Sequence, residues 1–387
     1  MNMEETAPSV PKSPLWRMPF RPLFPAAAAF GSLAILAWLL QFQGVLGLGK
    51  VGLLWHMHEM IVGFAATVVV GFVLTAAQTW TGVPTIRGAG LQCLALLWLL
   101  ARLGWVLPVC PDWLAAGIDV LFFLLAAWTV GRMTWLARNW RNVFFAPVFL
   151  LFAAFSGAYA LVLERGDTTQ AGFLLNGALF LIIHIVLVVG GRVIPFFSDR
   201  GLQRAPTVRY ALLEYLSLLA SALFLLLLVL EVSPVYLRVT AGLVALANLL
   251  RWLSWKPWQS LGVPLLWSLH IAYACVIAGF ALWALDLPRS AAIHLLALGG
   301  FGLMILAMIS RVSLGHTGRP LQLPAGFALA YILMIVAILS RVAASLMPEY
   351  YFALLWLAAL GWMGAYSMFL YFYLPMLASA RPDGGMG

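Results

Sequence analysis

The sequence predicts an all-α protein that crosses a membrane about twelve times. Of its 387 residues, 64% are hydrophobic and only 9% are charged, a composition that a soluble domain could not keep in solution. The apolar residues form twelve runs, each long enough to cross a hydrocarbon core of about 30 Å as a helix. Because the connections are short, we expect one transmembrane domain over residues 23–376, with polar tails at 1–22 and 377–387.

Each predicted span begins and ends near charged, Gly or Pro residues, and the spans follow one another closely. They cover residues 23–43, 56–80, 90–107, 112–133, 142–163, 171–196, 209–230, 233–252, 263–286, 290–312, 324–346 and 350–376. With both tails in the cytoplasm, sixteen Lys and Arg fall on the cytoplasmic side and six on the other, so we expect both termini to be cytoplasmic. The basic charge is therefore interpreted as a topology signal, and no nucleic-acid partner is expected.

A repeated residue spacing predicts that the domain contains internal repeats. His58 precedes Gly82 by 24 residues, and His294 precedes Gly318 by the same 24. The two segments are eight spans apart, which fits three pseudo-equivalent four-helix units in which spans two, six and ten correspond. Asn176 of span six then matches the two histidines. The alternative is a chance match between Gly- and Pro-containing helix ends.

Six histidines are the main candidates for chemistry, because a polar ring in hydrocarbon is costly and imidazole is a common ligand of haem iron and copper. A rise of about 1.5 Å per residue sorts them into three levels. The outer level holds three, the middle of the membrane holds two, and the inner side holds one: His56, His58 and His294, then His184 and His270, then His316. The alternative is that each ring is hydrogen-bonded in the packing.

Two metal sites are predicted from these levels. His58 and His294 suit the axial positions of a b-type haem, and His184 and His270 suit copper or a second haem. His56 and His58 point about 200° apart on a helix, so only one of them faces a site on a continuous helix.

Four charged residues complete the predicted site. Glu59 and Asp119 could orient a ligating ring or carry protons, although Glu59 could also be an interfacial, solvated acid. Arg192 and Arg311 end their spans on the inner side, where arginine either reaches lipid phosphate or pairs with an acidic group such as a haem propionate.

Several motifs resemble those of the NnrS family across nearly the whole chain. They are F-R-P-L-F (20–24), W-H-M-H-E-M (55–60), T-W-T-G-V-P (79–84), G-G-R-V-I-P-F-F (190–197) and S-R-V-S-L-G-H-T-G-R-P-L (310–321). The resemblance implies a bacterial inner-membrane protein that carries haem and copper and is linked to denitrification and nitric oxide stress. It does not assign individual histidines to a metal.

The predicted architecture is also similar to that of haem-copper oxidases and the related nitric oxide reductases, which have twelve helices in three four-helix arcs. Their high-spin haem and copper ligands cannot be carried over, because this chain has no adjacent His-His pair. We expect nitric oxide reduction at a buried metal, with electrons from a quinol or a periplasmic carrier. The alternative is a non-catalytic sensor, a haem or metal handler, or a transporter.

Overall fold

The computed structural model describes residues 11–385, so part of each predicted tail lies outside the described residues. The described chain folds into twelve long helices and contains no strand. In chain order these are α1 Phe20–Phe42, α2 Leu53–Thr81, α3 Ala89–Val106, α4 Asp112–Leu136, α5 Phe145–Glu164, α6 Thr168–Gly201, α7 Ala211–Val229, α8 Pro234–Ser254, α9 Pro264–Ala284, α10 Arg289–His316, α11 Ala328–Ala344 and α12 Tyr351–Ala378. The all-α prediction is confirmed.

Ten of the twelve helices in the described chain are long and apolar enough to cross a membrane. Of the other two, α11 is apolar but has only 17 residues. α8 has 21 residues, but Arg238, Asn248 and Arg251 lower its apolar content. Large apolar side chains such as Leu219 and Trp128 remain exposed on the outside of the bundle, where a lipid environment would cover them.

The helices that correspond in the proposed repeat lie at the centre of the bundle. In α2 and α10, 83% and 72% of the most apolar window is buried, and α6 packs against both helices. α1 packs against α12, which joins the first and last helices of the chain. The central helices therefore present residues to the interior on all sides, as expected for spans that are apolar all round.

The repeat is also visible in the backbone of α2 and α10. Each helix changes to a π-helix directly after its histidine, over Glu59–Ala66 and over Leu295–Leu303. Gly82 and Gly318, which end the two segments, have positive φ values of 69° and 70°. α6 has no π segment, so the correspondence is strong between two units and weaker in the third. Such π segments often occur at functional sites.

The start of α1 and the end of α12 lie at the same end of the bundle, which we call the tail end. Arg21 at the start of α1 donates hydrogen bonds to Leu377 O (2.6 Å) and Ser379 O (2.8 Å) at the end of α12. The opposite end, where α2 and α10 begin, is called the cavity end.

Candidate functional site

A large cavity at the cavity end contains two of the six histidines. Its volume is about 740 Å³, and residues of α1, α2, α6, α10, α11 and α12 line it. Most of the lining is apolar, and its main polar groups are His56, His294, Arg341 and Asn176. The size is that of a pocket for a cofactor or another small molecule.

His294 is held so that one ring nitrogen remains available. Its Nδ1 donates a hydrogen bond to Ser290 O at 2.7 Å, one helical turn earlier in α10. Because a carbonyl can only accept, the proton is on Nδ1 and the lone pair is on Nε2. This is the arrangement by which proteins orient a histidine that ligates a metal.

His56 enters the same cavity from α2. Its ring stacks on Trp38 of α1, with centroids 4.4 Å apart and an interplanar angle of 26°. Its Nδ1 is buried and has no hydrogen-bond partner among the described residues. A buried polar nitrogen without a partner is rare and calls for an explanation such as a ligand.

Arg341 places a cation in this apolar cavity. Its guanidinium donates to Ser290 Oγ and Ser345 Oγ, each at 3.0 Å, and no carboxylate of the described chain forms an ion pair with it. A charge in such surroundings is expensive without a counter-charge. The cavity is therefore suited to a ligand that carries an acidic group.

His58 lies outside the cavity, in a buried network on the other side of α2. Its Nδ1 donates to Glu59 Oε1 at 2.8 Å, and its Nε2 lies 3.8 Å from Asp119 Oδ2. Tyr159 stacks on its ring with centroids 4.9 Å apart, and Trp105 covers another side. Packing and carboxylates thus fill the space that a haem would need at this ring.

Arg102 joins the two carboxylates of this network. Its Nη1 donates to Glu59 Oε2 at 2.6 Å and its Nη2 donates to Asp119 Oδ1, while Asp119 also accepts from Trp105 Nε1 at 2.8 Å. Both carboxylates and the guanidinium are at most 3% exposed. The guanidinium lies directly against Gly63 of the π segment, where a methyl group would overlap it.

His58 and His294 have different surroundings, although they begin the two matching segments of the sequence. Glu59, Asp119 and Arg102 close the space around His58, whereas His294 lines the open cavity. The structure therefore places His56, not His58, beside His294.

The structure does not bring His184 and His270 into one site. His184 Nδ1 hydrogen-bonds Ser221 Oγ of α7 at 2.8 Å, whereas His270 Nε2 hydrogen-bonds Ser198 Oγ of α6 at 3.0 Å. Ser198 follows His184 by fourteen residues in α6, which is about 20 Å of helical rise. The predicted equal depth is wrong because α6 has 34 residues, far more than a bilayer needs, so counting from its end misjudges the level.

The remaining predicted residues lie at the tail end. Arg311 follows His294 by seventeen residues, about 25 Å along α10, and neither it nor Arg192 lines the cavity. The arginine that lines the cavity is Arg341 instead. His316 packs against Phe20, with ring centroids 5.6 Å apart.

Beyond the last helix, Arg381 donates to the carbonyl oxygen of His316 and pairs with Asp383. Hydrogen bonds from Arg381 and from the backbone of Gly385 hold the pKa of Asp383 well below its ordinary value.

Sequence reasoning missed three residues of these sites. Arg102 and Arg341 were interpreted only as topology charges, although both lie inside predicted apolar spans. The signal for Arg102 was present, because the buried acids Glu59 and Asp119 require a cation. Asn176 was noted only as a repeat position, yet its Oδ1 is buried without a partner and the residue lines the cavity.

Comparison with known proteins agrees with the architecture. Among proteins with curated descriptions, none matches this chain. The family model described as NnrS protein matches residues 14–381, which is nearly the whole sequence and includes all twelve helices. The chain therefore belongs to the NnrS family.

Proposed function

We propose that the chain is a haem b membrane protein acting on nitric oxide, with the haem in the cavity between His56 and His294. The observation that carries the proposal is the presence of two histidines in one cavity of about 740 Å³, each with a nitrogen available. Arg341 supplies the cation that a propionate would require. Family membership supports the link to nitric oxide.

The residues of the cavity have separate tasks in this proposal. Stacking on Trp38 fixes the plane of His56, and the Ser290 carbonyl fixes the orientation and proton position of His294. Arg341 orients the acidic edge of the cofactor. Haem iron, when bound, supplies one-electron chemistry and affinity for nitric oxide. The mostly apolar lining would favour entry of a small apolar gas.

The more specific proposal is that the protein reduces nitric oxide. Two molecules of nitric oxide, two electrons and two protons give nitrous oxide and water, so the protein would need an electron donor. A quinol or a periplasmic carrier is the proposed donor. The distribution of Arg and Lys supports an inner-membrane topology with the tail end, and both termini, in the cytoplasm. The cavity then lies toward the periplasm.

A copper site does not fit the described residues equally well. No group of three or more His, Cys, Asp or Glu in residues 11–385 has an arrangement that could hold a metal ion. His184 and His270, the predicted ligands, hydrogen-bond different helices at different levels. We therefore derive no chemical step through copper.

The same observations favour one alternative, a non-catalytic haem protein that senses nitric oxide or handles haem. His56 and His294 would both be needed to hold the haem, which would leave no further protein group of the cavity for chemistry at the iron. No group of three possible metal ligands adjoins the cavity in the described part of the chain. A protein of this kind would bind nitric oxide or transfer haem without catalytic turnover.

Spectra of the purified full-length protein test the haem proposal. Reduced-minus-oxidised spectra should show a b-type haem that is lost in His294→Ala and lost or converted to high spin in His56→Ala. The matched control is His184→Ala, which removes a half-buried histidine outside the cavity and should leave the spectrum unchanged. An unchanged spectrum in both cavity variants would reject the site.

Consumption of nitric oxide by the haem-loaded protein separates the two functions. With an artificial electron donor, sustained consumption with formation of nitrous oxide supports reduction. Binding of nitric oxide in a single stoichiometric step, without further consumption, supports the non-catalytic alternative.

A further inference from the structure

A second cation without a counter-charge lies at the tail end, far from the cavity. Arg311 is only 8% exposed, so its guanidinium is largely withdrawn from the surroundings of the bundle. Its guanidinium lies over the ring of Phe197 in α6, 3.9 Å from the ring centroid. Among residues 11–385 it forms neither an ion pair nor a hydrogen bond. Every other buried arginine described above has hydrogen-bond acceptors.

Two buried tyrosines accompany this cation. Tyr331 of α11 lies within electrostatic range of the Arg311 guanidinium, and Tyr373 of α12 lies beside Tyr331. The hydroxyl of each is buried and forms no hydrogen bond of ordinary geometry in the described chain, although the Ser310 hydroxyl lies near both. Both can donate a hydrogen bond. Unpartnered buried donors are rare in native structures, and here two of them adjoin an unpaired cation.

The surrounding groups indicate the charge of a ligand. Trp267 of α9 packs against Tyr331, with ring centroids 5.6 Å apart. His270 is on the same face of α9 one turn later and binds Ser198, the residue after Phe197. No carboxylate is among these groups. The low-dielectric surroundings therefore favour an anion strongly.

The geometry also limits the size of the ligand. One face of the guanidinium is covered by Phe197, and little of the residue is accessible. Arg311 is five residues before the end of α10, about 8 Å of helical rise, so the guanidinium lies close to the tail end. The covered face and the low exposure favour a small anionic group over a macrocycle.

We propose that Arg311, with the hydroxyls of Tyr331 and Tyr373, binds a small monovalent oxyanion at the tail end of the bundle. A planar oxyanion matches the guanidinium with two parallel hydrogen bonds and accepts others from the hydroxyls. A phosphodiester oxygen of an anionic lipid offers the same chemistry from a second source. The proposal does not depend on haem or on nitric oxide.

Calorimetric titration of the full-length protein with sodium formate and sodium nitrite tests the proposal. The protein is held in nanodiscs of zwitterionic lipid, at constant ionic strength. Saturable binding with one site per chain is expected. Arg311→Gln should weaken it at least about tenfold, and Tyr331→Phe should weaken it less, because a charged hydrogen bond contributes more than a neutral one. Arg311→Lys, which keeps the charge, should bind more weakly than the original protein but more tightly than Arg311→Gln.

Arg192→Gln is the matched control, because Arg192 is another tail-end arginine of a central helix but already donates to Asn142 Oδ1. It should bind formate as the original protein does. Nanodiscs with anionic lipid distinguish the two sources of the ligand. If anionic lipid competes with formate in the original protein but not in Arg311→Gln, the site also binds a lipid phosphodiester. The proposal is overturned if formate shows no saturable binding in either lipid. It is also overturned if binding is unchanged both in Tyr331→Phe and in a folded Arg311→Gln or Arg311→Lys protein.

Discussion

Replacing Arg102 with Met tests whether the buried network around His58 depends on its single guanidinium. The change keeps the length of the side chain and leaves Glu59 and Asp119 buried at 0% and 1% exposure without their cation. Removing one partner of a buried ion pair costs about 3–5 kcal/mol, because the remaining charge keeps its desolvation penalty. Two carboxylates lose their partner here, so we expect the upper part of this range, about 5 kcal/mol.

The assay is reversible unfolding in mixed micelles, followed by tryptophan fluorescence. Arg238→Met is the matched control, because Arg238 forms an ion pair of 2.7 Å with Asp286 on the surface, where the two side chains are 40% and 72% exposed. That pair should contribute at most about 1 kcal/mol. Adding Glu59→Gln and Asp119→Asn to Arg102→Met should recover much of the loss. An effect of Arg102→Met no larger than that of Arg238→Met would refute the reasoning.

Three further outcomes are expected. Gly63→Ala should destabilise the protein by about 1–3 kcal/mol, because the added methyl group overlaps Arg102, whereas Gly117→Ala, which meets no atom within 4 Å, should be neutral or slightly stabilising in the same unfolding assay. Arg341→Gln should lower the amount of haem retained on purification, measured as haem per protein, while the protein still inserts; full retention would remove the assigned role. His58→Gln should leave the haem spectrum in place, and its loss would return His58 to the list of ligands.

The sequence by itself determined the fold class and the number of helices. Apolar length alone requires helices in a membrane, since every backbone polar group must be satisfied within the segment. The equal spacing from His58 to Gly82 and from His294 to Gly318 matched α2 with α10. Both helices then proved to contain a π segment directly after the histidine. These properties depend on residues close together in the sequence.

The tertiary structure decided which side chains meet. The direction in which His56 and His58 point depends on what α1, α3 and α4 place around α2, and the sequence of α2 does not contain that information. Trp38 directs one ring into the cavity, and Arg102 closes the space around the other.

The depth of a side chain in the membrane could not be predicted from the sequence either. Helices longer than the bilayer thickness, such as α6, give no fixed level from which to count residues. Spacing along one helix is set by backbone hydrogen bonds. Contacts between helices are set by the packing of the whole bundle, and that packing became visible only when all twelve helices were in place.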